Sequence, residues 1–389
     1  MAKTIKDRSI LKPATQLATA AREYTEAGFV NPPLYRGSTI VLPDVETFNS
    51  SPYAYGRRGS PTVSALNDAI TVLEAGHDTR ITPSGLSAVS TTLLSFLSAG
   101  DHLLMTDAVY YPTRHFCDTV LKRLGVETTY YDPLIAGKIA GLVRPNTKLV
   151  YCESPGSQSM DIQDIPAIAA VARSTGCFMA VDNSWSGGLF FKPLLMGADI
   201  SLQSGSKYIG GHSDILMGTI CCNAKAMPLL ASTYGTMGMC PGPDDVMLAL
   251  RGLRTLEVRL ARHMQSALHL AKWLAGRPEI SKVMHPALPD TVGHDIWKRD
   301  FTGSSGLFSV ELAPVSEAAV ASLLDGLEFF GLGFGWGGFE SLCIPFKTKR
   351  VAASIPSVGP CLRFHIGLEH PEDLMRDLEA GFKRMNLAK

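Results

Sequence analysis

Two stretches decide how this chain folds: Ala180-Val181-Asp182-Asn183-Ser184-Trp185 and Leu202-Gln203-Ser204-Gly205-Ser206-Lys207-Tyr208. Each follows a short apolar run, at 178–181 and 200–202, and ends in a polar cluster. Continuous apolar runs of this length suit strands buried on both faces, so the polar residues fall just past the strand ends. Working outward, similar runs stand at 102–105, 128–131, 149–152 and 218–222, with helical spacing between several of them, notably 112–124 and 164–174. Upstream, Val63, Leu66, Ile70 and Leu73 give 62–74 the spacing of a helix that ends at Gly76. A second apolar helix over 86–97 is closed by Ala99-Gly100. Strands alternating with helices imply βαβ units and a mostly parallel sheet. Ligands of such open sheets bind outside the carboxyl ends of the strands.

The flanks read differently. Residues 1–60 carry turn signals at Asn31-Pro32-Pro33 and Ser51-Pro52 and read as an arm rather than a packed unit. Residues 244–274 form one long helical pattern without an internal proline, placed to link two domains. Beyond it, strands near 280–284, 306–312 and 361–366 and helices near 316–325 and 371–385 describe a smaller α/β domain. The expected division is an arm at 1–60, a large domain at 61–254 and a small one at 255–389. There is no internal repeat and no low-complexity segment.

Composition narrows the function. Of 389 residues, 46% are hydrophobic and 19% charged, enough apolar material for a sizeable core and too little charge for general disorder. Thirty-six basic and 36 acidic residues leave no net field to attract nucleic acid or anionic lipid. No run approaches the length of a membrane helix, and the polar start over residues 1–8 lacks a signal peptide's apolar segment. The expectation is a soluble cytoplasmic protein. None of the eight cysteines forms a C-x-x-C pair, and the histidines are scattered, so neither a disulfide framework nor a metal site is expected.

Three clusters at strand or helix ends carry chemistry when taken together. Thr82-Pro83-Ser84-Gly85-Leu86 opens an apolar helix, where free N–H groups and the helix dipole favour an anion and Gly85 permits close approach. Asp182 ends an apolar strand, where a carboxylate must be paired or hydrogen-bonded. Lys207 follows another strand beside two serine hydroxyls, and desolvation makes a lysine nucleophilic. Singly, these read as a capped helix, a turn aspartate and a surface lysine. As a set they meet the needs of pyridoxal phosphate: a phosphate cradle, a carboxylate for the pyridine nitrogen and an amine for the aldehyde. A rival motif, Gly333-Phe334-Gly335-Trp336-Gly337-Gly338, matches G-x-G-x-x-G but neither follows a clear strand nor opens a βαβ unit.

Around these clusters the sequence resembles the Cys/Met-metabolism family of fold-type-I pyridoxal-phosphate enzymes. The resemblance rests on Val181-Asp182-Asn183-Ser184-Trp185 and Ser204-x-Ser206-Lys207-Tyr208-x-x-Gly211-His212-Ser213-Asp214. It extends through Tyr55-Gly56-Arg57-Arg58-Gly59, Arg251-Gly252-Leu253-Arg254, Trp336-Gly337-Gly338 and Arg363-Phe364-His365-Ile366-Gly367. It implies a large domain with a mostly parallel sheet between helices plus a smaller C-terminal α/β domain. It implies Lys207 as the Schiff-base lysine and α-proton shuttle, and Asp182 as partner of the pyridine nitrogen. Gly85, Leu86, Ser204 and Ser206 match the phosphate site, and Tyr110 the tyrosine stacked on the ring. Tyr55 and Arg57 match residues that reach a neighbouring subunit's phosphate, so the arm implies a homo-oligomer, a tetramer built as a dimer of dimers. Arg363 matches the clamp on the substrate α-carboxylate, where a guanidinium fork suits a carboxylate. Tyr234, Trp336, Gly335, Arg58 and His115 match the substrate side.

Within the family, the motif around Trp336 and the uncharged Phe334 resemble the branch that cleaves the bond from sulfur to the β-carbon. The implied substrates are cystathionine, cystine or cysteine S-conjugates, and the products a thiol, pyruvate and ammonia. The alternatives are γ-acting relatives and an amino-acid racemase. Two departures stand out: Gly335 replaces a serine common before the tryptophan, and His115 stands where related enzymes carry an aspartate near the distal end of the substrate. A histidine pairs less well with a distal ammonium, which predicts a less strict preference for cystathionine.

Overall fold

The computed structural model describes residues 8, 10–352 and 358–388, so the polar start at 1–7 lies outside the described residues. Seven strands form the large sheet: β1 (Asp78–Thr82), β2 (His102–Thr106), β3 (Glu127–Tyr131), β4 (Thr147–Glu153), β5 (Phe178–Asp182), β6 (Ile200–Ser204) and β7 (Gly218–Cys222), in the spatial order β1-β7-β6-β5-β4-β2-β3. Strands β2 to β6 pair in parallel, and β7 runs antiparallel to both β1 and β6. The result is the architecture that the resemblance implies: a mostly parallel sheet between helices with a smaller domain beside it.

The apolar runs are explained by burial on two faces. Leu103, Met105, Leu149, Tyr151 and Ala180 meet the helix Gly85–Phe96 on one side. Their neighbours Leu104, Val150, Met179 and Val181 meet the helix Ile165–Thr175 on the other. Strand β1 was not legible as a strand, because Asp78, Thr79, Arg80 and Thr82 interrupt any apolar run. It forms because β7 offers a complete antiparallel partner, from Asp78 opposite Cys222 to Thr82 opposite Gly218.

The long helix expected over 244–274 is two helices, Pro243–Leu253 and Leu256–Ala275. The break has a cause at Gly252. Its carbonyl accepts from the Thr255 N–H, the Thr255 hydroxyl and Arg259 Nη2, at 3.1, 3.1 and 2.8 Å, which diverts it from the helical ladder. A Cβ at Gly252 would lie 2.4 Å from the Ile209 carbonyl oxygen, so the segment approaches the loop after Lys207 as only glycine can. The helical pattern at 112–124 likewise divides, into Tyr111–Phe116 and a π-helical turn over Cys117–Leu121.

A second sheet of four antiparallel strands follows: β8 (Ile280–Met284), β9 (Leu307–Leu312), β10 (Leu342–Phe346) and β11 (Cys361–His365), in the order β10-β11-β9-β8. Phe308, Val310 and Phe364 bury one face against the helices Leu256–Ala275, Glu317–Leu324 and Pro371–Leu387. Part of the N-terminal stretch differs from expectation. The helix Pro13–Ala18 and the residues after it pack on their own chain, with Leu17, Ala20 and Ala21 buried against Leu66 and Ile70. The stretch beyond it leaves Phe29, Val30, Val41 and Phe48 exposed.

Candidate active site

The carboxyl ends of four strands supply the polar residues of one site. Chain leaving β2 carries Tyr110, β4 ends on Glu153, β5 ends on Asp182, and β6 runs through Ser204 to Lys207. Glu153 and Asp182 are partners across the β4–β5 ladder. The small sheet adds Arg363 from β11, and the 331–341 segment lies against both.

Lys207 leaves a tight turn after β6, its N–H bonded to the Ser204 carbonyl at 3.1 Å. Its ammonium lies 5.4 Å from the centre of the Trp336 ring. Burial, with Arg363 acting in the same sense, brings its pKa down to about 8. Gly337, at φ +88°, packs on this turn: a Cβ there would lie 2.8 Å from the Lys207 carbonyl carbon. The Gly337 N–H donates to His365 Nε2 at 3.0 Å, so the small domain fixes the backbone that braces the lysine.

Asp182 accepts from the Ser184 N–H at 3.0 Å and the Ser184 hydroxyl at 2.6 Å. The same hydroxyl accepts the Ser204 N–H at 2.7 Å, which couples the ends of β5 and β6. Burial raises the Asp182 carboxyl, and its two serine donors oppose that. Arg363 is buried, and burial lowers its guanidinium to about 10. Its Nη2 donates to the Phe334 and Gly335 carbonyls at 3.0 and 3.2 Å, while its Nε has no partner among the described residues. The phosphate cradle is equally tight. Ser84 caps the helix Gly85–Phe96 through a reciprocal bond with Ser87. A Cβ on Gly85 would lie 2.6 Å from the Ser204 hydroxyl, so the first-turn amides and that hydroxyl converge.

The remaining expected residues are less drawn in. The Ser206 hydroxyl exchanges bonds with the Met217 backbone, accepting its N–H at 2.9 Å. Leu86 is partly exposed beside Gly85. The Tyr234 hydroxyl donates to the Ile81 carbonyl at 2.7 Å, and burial raises its pKa to about 12. Arg57 lies near that helix, 3.4 Å from the Gly235 carbonyl, with its guanidinium 5.9 Å from the exposed Tyr55 ring. Arg58 is exposed, and His115 stacks on Tyr111 at 6.1 Å without entering the cluster. Trp336 packs edge-on against Tyr208. Sequence reading missed Glu153, whose carboxyl Oε2 accepts the Tyr110 N–H at 2.8 Å. Its signal was available: like Asp182, it is an acid closing an apolar run.

A cavity of about 330 Å³ adjoins the site between Ala108, Val109, Tyr111 and Phe334. A larger one, about 840 Å³, lies under the helix Glu317–Leu324 and touches none of these residues.

The donor set suits pyridoxal phosphate. The first-turn amides at Gly85 converge with the Ser204 hydroxyl as a phosphate requires, Asp182 accepts two bonds from Ser184 at the end of β5, and the Arg363 Nε, beside a lysine of lowered pKa, has no partner among the described residues. The Cys/Met metabolism PLP-dependent enzyme family matches residues 14–383, and the chain belongs to it. Pyridoxal phosphate is its cofactor. The chain is 42% identical to the Escherichia coli cystathionine beta-lyase MetC over 388 residues, 95% of this chain and 98% of that protein. It is 36% identical to a Wolbachia pipientis L-alanine/L-glutamate racemase, across 96% of this chain and 98% of that protein. The crystal structure of a cystathionine gamma synthase from Xanthomonas oryzae pv. oryzae, with aminoacrylate and cysteine, aligns at a TM-score of 0.91 and 31% identity, over 97% of this chain and all of that one.

Proposed function

We propose that this enzyme is a carbon–sulfur β-lyase that converts cystathionine or a related cysteine thioether with water into a thiol, pyruvate and ammonia, and a cysteine disulfide into a persulfide, pyruvate and ammonia. With cystathionine the thiol is homocysteine, a step towards methionine. The observation that carries the reading is a desolvated lysine, near pKa 8, on the turn after β6, beside the strand that ends on Asp182 and near an Arg363 whose Nε has no partner among the described residues. The E. coli relative's name, at 42% identity over nearly the whole chain, supports the β position of cleavage.

When bound, pyridoxal phosphate supplies an electron-withdrawing ring in conjugation with the α-carbon of the substrate. The Gly85 and Leu86 amides with the Ser204 and Ser206 hydroxyls would hold its phosphate, and Asp182 would hold the proton on the pyridine nitrogen. Lys207 would hold its aldehyde, and Lys207 Nζ would take the α-proton of the substrate. A lysine near pKa 8 has a substantial neutral fraction at neutral pH, which an exposed lysine lacks. Arg363 binds the α-carboxylate through the fork whose Nη2 is already fixed by the Phe334 and Gly335 carbonyls. Protonation of the departing sulfur falls to Lys207 or to Tyr110, whose phenol is raised chiefly by burial and so retains its proton. Trp336, Gly335, Tyr234, Arg58 and His115 bound the substrate side.

Product analysis tests the reading: incubation with cystathionine should release pyruvate, and release of 2-oxobutyrate instead would mean a γ-acting enzyme. A racemase reading draws on the Wolbachia relative, and D-alanine formation from L-alanine without pyruvate from cystathionine would favour it. We also propose a tetramer, a dimer of dimers, in which Tyr55 and Arg57 serve a neighbour's cofactor phosphate. The exposure of both residues, and of Phe29, Val30 and Phe48 in the same stretch, supports that assembly. Light scattering at graded concentrations tests it. A cytoplasmic location is supported by eight cysteines that all remain free. No described helix is long and apolar enough to cross a membrane.

A further inference from the structure

We propose that Glu153 is a positioning residue of this site: its carboxyl anchors the Tyr110 main chain beside the cofactor pocket and is the uncharged member of a carboxyl pair with Asp182. The inference rests on the site proposed above. Two acids close adjacent parallel strands, Glu153 on β4 and Asp182 on β5, as direct partners in the ladder. Neighbouring strands run about 4.8 Å apart, so two buried carboxyls at this level cannot both ionise cheaply, and the pair titrates as a unit.

The surrounding bonds decide which acid keeps the charge. Asp182 accepts two short bonds from Ser184, one from an N–H and one from a hydroxyl. Glu153 Oε2 accepts one, from the Tyr110 N–H at 2.8 Å. Donors stabilise an ionised acid, so the better-served Asp182 holds the negative charge. The groups that act on Glu153 agree with this partition. Burial and Asp182 raise it well above the usual carboxylate range, and the Tyr110 N–H and Arg350 oppose them only in part. Arg350 itself binds Asp161 and Ser159 rather than Glu153. Tyr151, also close by, keeps its proton because of burial first and Asp182 next.

The arrangement has two consequences. Tyr110 is held by its backbone rather than its ring: the phenol has no hydrogen-bond partner among the described residues, and Tyr110 is half exposed while its N–H is tied down. A single net charge at the strand ends also leaves one carboxylate, not two, to pair with the pyridine nitrogen.

Glu153→Gln and Glu153→Leu separate these roles. Glutamine copies the neutral acid in shape and retains the acceptor. In the holoenzyme its cofactor dissociation constant and the pH titration of the bound-cofactor absorbance between pH 6 and 9 should stay within twofold and ~0.3 pH unit of wild type. Leucine removes the acceptor and strands the Tyr110 N–H. Cofactor binding should weaken about tenfold, the loss expected for one unmet buried bond, and Tyr110 amide exchange should quicken. A shift of a full pH unit in the glutamine variant would mean that Glu153 is ionised and overturn the proposal. Unchanged cofactor affinity and unchanged Tyr110 exchange in a folded leucine variant would overturn the anchoring role. If the leucine variant does not fold, the glutamine titration still decides the charge state. Failure of the site reading itself is distinct: wild-type protein would then take up no pyridoxal phosphate.

Discussion

Two lysines of the large domain are largely withdrawn from solvent, and their surroundings are opposites. Lys192 donates to the Leu73 and Gly188 carbonyls and feels the carboxylate of Glu74, which works against the burial that lowers its pKa. Glu74 is buried in turn and accepts from Asn183, Ser201 and Gln203. Every member of that cluster has partners, and it ties the helix Pro61–Glu74 to β6 and to the chain after β5. Lys207 has a cation, Arg363, as its charged neighbour and lies over Trp336, so both influences on it lower its pKa. A closed polar network rigidifies, whereas an open one holds a group ready for a missing partner. Burial alone therefore does not mark the working lysine; the absence of a counter-charge among the described residues does.

The strongest way to break this comparison is at the amines themselves. Lys207→Ala should lower kcat/KM on cystathionine by about 10⁴-fold or more and abolish the absorbance band of bound cofactor, with the thermal midpoint of the apoprotein unchanged or higher. Activity within tenfold of wild type would remove Lys207 from its role. Lys192→Met should do the reverse. It leaves Glu74 without its cation and should cost about 3–5 kcal/mol of stability, with the activity of the folded fraction kept within twofold. Glu74→Gln in the same chain should recover part of that loss, since the two residues are coupled. Loss of turnover without loss of stability in Lys192→Met would contradict the division between the two lysines.

Arg363→Lys probes the open network from its other side. A lysine cannot keep the Phe334 and Gly335 carbonyls and also present a fork to a carboxylate. The loss of a charged hydrogen bond, about 1.5–3 kcal/mol, corresponds to roughly 10- to 150-fold in kcat/KM, carried mainly by KM if the role is ground-state binding. A fall below threefold would point to another anchor for the α-carboxylate.

The pH dependence of apoprotein stability offers a subtler contrast. Lys207 titrates near 8 when folded and near 10.5 when unfolded, so between those values the unfolded chain binds more protons. Stability from this group is lowest below pH 8 and increases as pH rises through the window, by up to about 1.4 kcal/mol per pH unit for one proton. Lys207→Met should flatten that slope relative to wild type. Urea midpoints measured at pH 7.5, 8.5 and 9.5 would reveal the difference, and parallel curves would mean that the lysine is not desolvated.

How much of this was readable beforehand depends on where the information lies. Asp182 and Lys207 were legible because each interrupts an apolar run at a strand end, a local signal. Strands β2 to β7 were legible for the same reason. Strand β1 was not, because its polar residues become a strand only when β7 lies alongside. The division of the helix at Arg254-Thr255 was hidden too, since it depends on Gly252 meeting the loop that follows Lys207. Glu153 marks the limit within the site. An acid after an apolar run was visible, but its partnership with Asp182 and the Tyr110 N–H required knowing that β4 and β5 are neighbours. Nor does a sequence report that the Arg363 fork is half occupied by carbonyls from a glycine-rich strip.

The smallest expected effect concerns His115, on the exposed face of the helix Tyr111–Phe116, stacked on Tyr111 and outside both lysine networks. If it faces the distal ammonium of cystathionine, His115→Asp should raise kcat/KM for cystathionine relative to S-ethylcysteine, which has no distal charge. An exposed ion pair contributes about 0.2–1 kcal/mol, so the gain in that ratio should be at most about fivefold. It should shrink in high salt, because exposed charges are screened. The gain should also leave kcat/KM on S-ethylcysteine unaltered, which separates a distal contact from a general change at Tyr111. A ratio that does not move at low ionic strength would place the distal end of the substrate elsewhere. The contrast with Lys207 would then widen: the open network would govern the α-carbon chemistry alone, with no charged selection at the far end of the pocket on this helix.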